Sequence, residues 1–493
     1  MWHPSIGDLQ RVLQTKFCPE QLSEIENIEG SFLVVYRRGR RIYIFCDKYS
    51  IQRVYYAIDA TRVTLSDKLL EDFQNLAISP QNATQFAFLQ FVPGRCTLFD
   101  KIYRLMPCEC LVLDLDTKQC ASMLHFIYGK RKVDAPDITS VGQTTHNLFR
   151  QAVQMRIQKY PTSNLLVPLS GGLDSRYILA TLMELVSPNR ITAVTFGSLG
   201  TYDYEIGAQV AKVVGVKHVA YPLSVEDYRD PELLRNGLDA EGQVNFITEA
   251  PLRVFEEFEA HGTVVVSGFV GDAIMGSKAY QCVQDQRDVV VRDSLVDDRD
   301  LCAQFLDSDT IADGFYYETG EDSSLTTFEQ WFFVNHFTKY TNYCVFKNRN
   351  RLKYISPFID YELCEFVLNI PREMRLKRAM YFRECCNRFP QLAGLPFKSY
   401  MGSALSASLL SRFIARQWDK INYSYLGIDK RANYISFHKH VSRIAGGADV
   451  RKGGVGLRPE LLRTILEDKR CVLMRYNLRC LQLLSRQYDI SLQ

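Results

Sequence analysis

The sequence predicts an α/β protein in two parts. A β-rich region occupies 1–125, a polar linker 126–140, and a region of alternating strands and helices 141–493. Three observations predict this. Residues 31–115 carry short apolar–polar alternations broken by turn residues, the pattern of half-buried strands. From about 141 the rhythm becomes helix, strand, helix, and the strand runs are apolar throughout, as in a parallel sheet covered on both faces by crossover helices. The length, 493 residues, leaves room for two or three domains at roughly 100–200 residues each.

The elements follow in order. Residues 31–36 form a strand, Arg37-Arg38-Gly39-Arg40 a turn, and residues 41–46 the return strand. Residues 54–57 and 62–65 repeat the pattern, and 109–115 alternates again. The linker carries Lys130, Arg131, Lys132 and Pro136. Helices are predicted over 141–156, 177–185 and 206–214, the last ended by Gly215; strands over 165–169, 191–196 and 263–267. Residues 283–322 hold twelve acids against three arginines and read as a solvated surface. Residues 371–493 hold 23 Lys/Arg against 9 Asp/Glu, and one long amphipathic helix is predicted from Pro459 to about Gln487.

Composition excludes several classes. The hydrophobic fraction is 46% and the charged fraction 23%, which argues against a disordered chain. A net charge of +3 gives no global case for nucleic-acid binding. No run reaches the ~18 apolar residues of a membrane span. The opening Met1-Trp2-His3-Pro4-Ser5 lacks the pattern of a secretory signal, so a cytoplasmic protein without membrane association is expected. None of the 14 cysteines falls in a Cys-x-x-Cys pair, and most read as reduced core residues.

The sharpest signal is Ser170-Gly171-Gly172-Leu173-Asp174-Ser175, lying between the apolar run 165–169 and a helix. A glycine pair lets the backbone turn tightly and bring N–H groups to a phosphate. The helix N-terminus adds about half a positive charge toward the same anion. Ser170 and Ser175 supply hydroxyl donors, and Asp174 suits a Mg²⁺ ligand rather than a bare phosphate. No Lys-Ser/Thr pair follows the glycines, so this is not the P-loop of kinases and GTPases.

The loop resembles the pyrophosphate-binding loop of the ATP pyrophosphatases, and over roughly 28–402 the chain resembles the asparagine synthetase family. Further segments carry the likeness: Tyr202-Asp203-Tyr204-Glu205, Ser267 through Gly276, Ser356-Pro357-Phe358-Ile359-Asp360, and Phe397-Lys398-Ser399. In the first part, Gly30-Ser31-Phe32, Asp47 with Tyr55-Tyr56, Leu65-Ser66-Asp67 and Gly94 through Pro107 resemble that family's glutaminase domain. The resemblance implies a doubly wound parallel sheet of the PP-loop type, behind a degenerate glutaminase domain of the N-terminal-nucleophile kind.

It also implies ATP and Mg²⁺, with a carboxylate activated as an acyl-adenylate and then attacked by an amine. Leu169, Phe196 and Gly268 would hold the adenosine, and Ser170, Gly171, Gly172 and Ser175 the pyrophosphate. Asp174 and Asp272 would hold the metal, with Asp272 and Lys398 as catalytic groups. The chain departs from the family at four places. Trp2 stands where an active glutaminase has cysteine, and Phe269 where asparagine synthetases have glutamate. Lys353 and Ile355 replace the Glu-x-Arg, and Ala379 replaces a lysine, with Lys377, Arg378 and Arg383 nearby. These departures make the chain most similar to glutaminase-deficient members such as β-lactam synthetases and lasso-peptide cyclases, with a small-molecule or peptide carboxylate as substrate. A second copy, a peptidase or a glutaminase would be its protein partner. An asparagine synthetase fed by ammonia or a separate glutaminase, a tRNA-modifying ATP pyrophosphatase and a catalytically idle scaffold are the alternatives.

Overall fold

The computed structural model describes residues 28, 30–59, 62–129, 133, 137–244, 251–259, 262–279, 287–295, 299–302, 304–306, 309, 311–315, 324–346, 351–426, 430, 457, 459–468, 471–488 and 490–492. The N-terminal strands are β1 (Leu33–Arg38), β2 (Arg41–Cys46), β3 (Tyr55–Ile58), β4 (Val63–Ser66), β5 (Ala77–Ile78), β6 (Tyr103–Arg104), β7 (Glu109–Asp114) and β8 (Cys120–Leu124). They make two antiparallel sheets, β1-β2-β7-β8 and β4-β3-β6. The period of two decides which residues meet. Tyr43 and Phe45 of β2 pack with Phe32, Val34 and Cys110 on one face. Ile44 and Cys46 face the second sheet through Val54, Tyr56 and Leu105. Gly39, at φ 61°, turns the β1–β2 hairpin.

The second part holds β9 (Leu165–Pro168), β10 (Ile191–Gly197), β11 (Lys217–Pro222), β12 (Val264–Val266) and β13 (Lys353–Ile355). All pair in parallel, in the spatial order β11-β10-β9-β12-β13. The chain winds outward from β9 to β11, then returns to lay β12 on the other side of β9. The switch point therefore falls between β9 and β12, and a doubly wound sheet opens its binding crevice there, at the carboxyl ends of the strands. Leu165, Leu166, Val167 and Val264–Val266 are buried, as strands covered on both faces require.

The helices begin earlier than the apolar periodicity indicates. The first runs Ile138–Ile157, capped by Asp137 on the N–H groups of Thr139 and Ser140. The helix after the Ser-Gly loop is Asp174–Leu185, so Asp174 lies in its first turn. The next is Tyr202–Val214, ended by Gly215 at φ 77°.

The predicted single helix over 459–487 is two helices, Pro459–Glu467 and Val472–Tyr488. Arg475 Nη1 reaches back to the carbonyls of Ile465 and Asp468 at 3.1 and 2.8 Å, capping the first helix where it stops. The second helix crosses to the N-terminal part: Asn477 Nδ2 donates to Ala87 O at 2.8 Å in the Pro80–Leu89 helix, and Arg479 pairs with Asp230. Behind it β14 (Ser491–Leu492) pairs with β5. One apolar core consequently runs from Tyr49 to Ile490 through both parts.

Of the expected linker, Phe126 and Tyr128 are buried and stack edge-on at 5.1 Å. Its residues 130–132 and 134–136 lie outside the described residues. Within the acidic stretch the helices Arg287–Ser294 and Arg299–Cys302 are described, and much of the remainder, like Trp2 and Cys18, lies outside. Among the described residues no helix is long and apolar enough to cross a membrane.

Candidate active site

A cleft opens at the switch point. Leu169, Ser170, Gly172, Asp174, Ser175, Phe196, Gly268, Asp272 and Lys398 all line it. The sequence spread these positions over 230 residues, and the strand order brings them to one crevice. Gly171 alone among the expected site residues does not line it. Its N–H donates instead to Asp203 Oδ1 at 3.2 Å.

The loop is shaped by its own hydroxyls. Ser170 N–H donates to Ser175 Oγ at 3.2 Å, and Gly172 N–H to Ser170 Oγ at 3.2 Å. Two glycines are demanded by close approach. A Cβ on Gly171 would stand 2.8 Å from the Tyr202 carbonyl oxygen, and one on Gly268 3.0 Å from Ser175 N. Gly268 thus lets the turn after β12 lie directly against the first turn of the Asp174–Leu185 helix. Val270 completes that turn at φ 72°, a left-handed conformation that a β-branched residue adopts only under strain. The strained turn carries Asp272 toward Asp174.

Asp174 and Asp272 both line the cleft, near enough for the charge of Asp272 to act on Asp174. Asp174 is partly buried with its Oδ1 sealed from solvent, and desolvation, then the charge of Asp272, push its pKa up to about 7; Arg378, the Tyr381 hydroxyl and the Asp272 backbone N–H oppose the rise. Asp174 Oδ1 has no hydrogen-bond partner, and neither does the hydroxyl of Tyr381, which lies beside that carboxylate without closing a bond to it. Asp272 Oδ2 accepts from Ser277 Oγ at 2.9 Å. A buried oxygen without a partner, near a second carboxylate, is a hard-oxygen donor set. Among the described residues no group of three His, Cys, Asp or Glu could enclose a metal, so a cation here would complete its shell from a ligand or water.

Lys398 closes the crevice from the far side. Its Nζ donates to Asp203 Oδ2 at 2.6 Å, and its backbone N–H to Gly171 O at 3.1 Å. Asp203 therefore ties the loop and the lysine together through its two oxygens. No local feature of the sequence marks this role, because the partner is 195 residues away. Arg378 feels Asp174, whereas Lys377 and Arg383 are exposed.

At the β10 edge, Phe196 meets Phe255 edge-on at 6.2 Å. Leu169 N–H is engaged with Val194 O at 2.8 Å, and its carbonyl accepts from Thr195 Oγ1 at 2.9 Å. One lone pair of that carbonyl is left for a ligand.

Comparison with known proteins gives this arrangement a family. The family model described as asparagine synthase matches residues 144–480, which contain the whole parallel sheet and cleft. A probable glutamine-hydrolyzing asparagine synthetase of Acanthamoeba polyphaga mimivirus is 23% identical over 218 residues, 42% of this chain and 36% of the relative. A glutamine-hydrolyzing asparagine synthetase of Bacillus subtilis (strain 168) is 22% identical over 251 residues, 50% of this chain and 39% of the relative. The chain thus spans less than two fifths of the length of either relative. On the match over 144–480, the chain belongs to the asparagine synthase family, whose synthase domain is of the PP-loop type.

Proposed function

We propose that this chain is an ATP-dependent carbon–nitrogen ligase that releases AMP and pyrophosphate. The observation that carries the reading is the pair Asp174 and Asp272 beside a loop locked to Lys398 through Asp203. One carboxylate oxygen of the substrate attacks the α-phosphorus of ATP. The bond to the β-phosphate oxygen breaks, and pyrophosphate leaves. An amine nitrogen then attacks the acyl carbon, AMP departs with the bridging oxygen, and the amine loses a proton.

The chain's own residues divide this work. The hydroxyls of Ser170 and Ser175 and the helix N-terminus would meet the leaving pyrophosphate, with the Gly172 N–H holding the Ser170 hydroxyl in place. Asp174 and Asp272 would hold Mg²⁺, which neutralises the charge gathering on that leaving group. Lys398 supplies positive charge at the developing oxyanion, and Asp203 fixes where that charge stands. Leu169, Phe196 and Gly268 bound the place for the adenosine.

Phe269 can neither accept nor donate a proton, so the proton lost by the attacking amine goes to another group, or the amine arrives already neutral. The N-terminal sheets are read as a glutaminase-like fold in a structural role. Of the described cysteines in those sheets, Cys46 and Cys110 are buried, and burial raises both thiol pKa values, the latter to about 12, while Cys120 is exposed. The substrate then resembles those of amide-forming enzymes that tailor small molecules or peptides. Product analysis tests the reading: with a competent carboxylate, ATP should yield AMP and pyrophosphate, and ADP as product would overturn it.

A further inference from the structure

The strand order gives the cleft an axis, and its two ends differ in chemistry. On the β10 side stand Phe196 and Phe255. Around the β9 loop gather the charged lining residues: Asp174, Asp203, Asp272 and Lys398. Beyond Gly268, toward β13, the described lining is Phe269, Val270, Cys344, Val345 and Tyr354, none of them charged. Tyr354 and Cys344 are 4% and 2% exposed, so this end is desolvated. With the adenosine toward β10 and the phosphates on the loop, the β12–β13 end is what remains for the acyl group.

A substrate such as aspartate brings a second carboxylate and an ammonium with its reacting carboxylate. Buried charges need partners, and unpaired ones cost several kcal/mol. Lys353, on the same strand as Tyr354, is exposed and turned away, and Ile355 lines a neighbouring cavity rather than the cleft. That second cavity is small and charged: Asp47, Lys48 and the Arg156–Asp360 pair at 2.7 Å line it. Tyr354 lines both cavities, its ring held edge-on by Phe346 at 5.9 Å.

Resting on the ligase reading above, we infer that the activated carboxylic acid carries an uncharged aromatic or branched aliphatic acyl group. Phe269, Val345 and Tyr354 determine that preference. Tyr354 is the partition that sets acyl length and keeps the chain out of the charged cavity.

The test uses the full chain and stable adenylate mimics, with binding measured by calorimetry. The probes are sulfamoyladenosine carrying a 3-phenylpropanoyl group, an aspartyl group or no acyl group. The phenylpropanoyl compound should bind at least roughly tenfold more tightly than the aspartyl one. In Tyr354→Ala an analogue whose longer acyl chain ends in a primary carboxamide should gain at least roughly tenfold relative to the phenylpropanoyl compound, because the side chain that separates the cleft from the polar cavity is gone, and no gain would overturn the partition. An aspartyl analogue that binds as well as or better than the phenylpropanoyl one overturns the inference, as does equal binding of all three. In either case the adenosine site stands. If no probe binds, the unacylated compound included, the ligase reading itself falls and the inference with it. Should Tyr354→Ala fail to fold, the wild-type ratio alone decides the acyl preference.

Discussion

Two buried polar regions of this molecule handle charge in opposite ways. Where the π-helix Phe332–Thr341 and the residues after it meet the N-terminal sheets, Arg104 is 1% exposed. It is met from both sides: Nη1 donates to Thr338 O at 2.7 Å, and Nη2 to Ser50 O at 2.9 Å. Asn342 Nδ2 joins the same Ser50 carbonyl at 2.9 Å, and the Arg104 guanidinium lies 5.0 Å from the Tyr343 ring centroid. In the cleft, Asp174 is only partly buried, yet its Oδ1 is sealed from solvent without a partner and feels the charge of another carboxylate. A buried charge whose bonds are complete holds two surfaces together. One left incomplete beside a like charge is tolerated only where a ligand finishes it.

The comparison can be broken at its charged end first. Asp174→Asn keeps the volume and removes the ligand charge. Pyrophosphate exchange should fall about 10²–10³-fold, a loss of about 3–4 kcal/mol of transition-state stabilisation, while circular dichroism shows an intact fold. Exchange at the wild-type rate would mean that the loop is not the nucleotide site. Asp203→Asn should cost less, about tenfold to a hundredfold in kcat, because the lysine remains but is no longer positioned. Its KM for ATP should change less than its kcat.

A pH effect of similar size sharpens the same contrast. With its pKa raised to about 7 by burial and by Asp272, Asp174 is largely protonated below that value. A proton and a metal ion compete for one carboxylate, so apparent Mg²⁺ affinity should weaken by up to about tenfold from pH 7 to pH 6 and level off above about pH 8. Magnesium titrations of ATP binding at three pH values check it, and a flat profile would contradict the placing of the metal. The smallest effect on chemistry belongs to the other region. Arg104→Ala removes the side-chain donor to the Thr338 carbonyl, leaves the Ser50 carbonyl to Asn342 alone and opens a void, so the chain should lose about 2–4 kcal/mol of stability to urea. The folded fraction should still bind ATP as the wild type does. A selective loss of ATP binding would show that the interface belongs to the site.

Much of the site could be read from the residues, and the reason is local. The run 165–169 is apolar throughout, a glycine pair follows, and a helix opens, all within about twenty neighbouring positions. What escaped depends on partners distant in sequence. Asp203 carries no local mark of its bond to Lys398, and Tyr381 none of its place beside Asp174. The Tyr202–Val214 helix begins four residues before its apolar period, since Tyr202-Asp203-Tyr204-Glu205 breaks the pattern while Asp203 and Glu205 suit a first turn. The Pro80–Leu89 helix had a signature, Ser79 as cap followed by Pro80, but its apolar positions do not keep to one face. The charged run Glu467-Asp468-Lys469-Arg470 interrupts the apolar period between Leu466 and Val472 but carries no Gly or Pro to mark a stop, and the cap on the first helix comes from Arg475 in the second.

The central claim is that the cleft between β9 and β12 builds an acyl-adenylate. A carboxylic acid that supports pyrophosphate exchange, labelled with heavy oxygen in its carboxyl group, tests it most directly by mass spectrometry of the products of a complete turnover with an amine. The bridging oxygen should leave with the nucleotide, so AMP should carry one heavy oxygen atom and pyrophosphate none. Unlabelled AMP, or label in a phosphate released with ADP, would contradict the account.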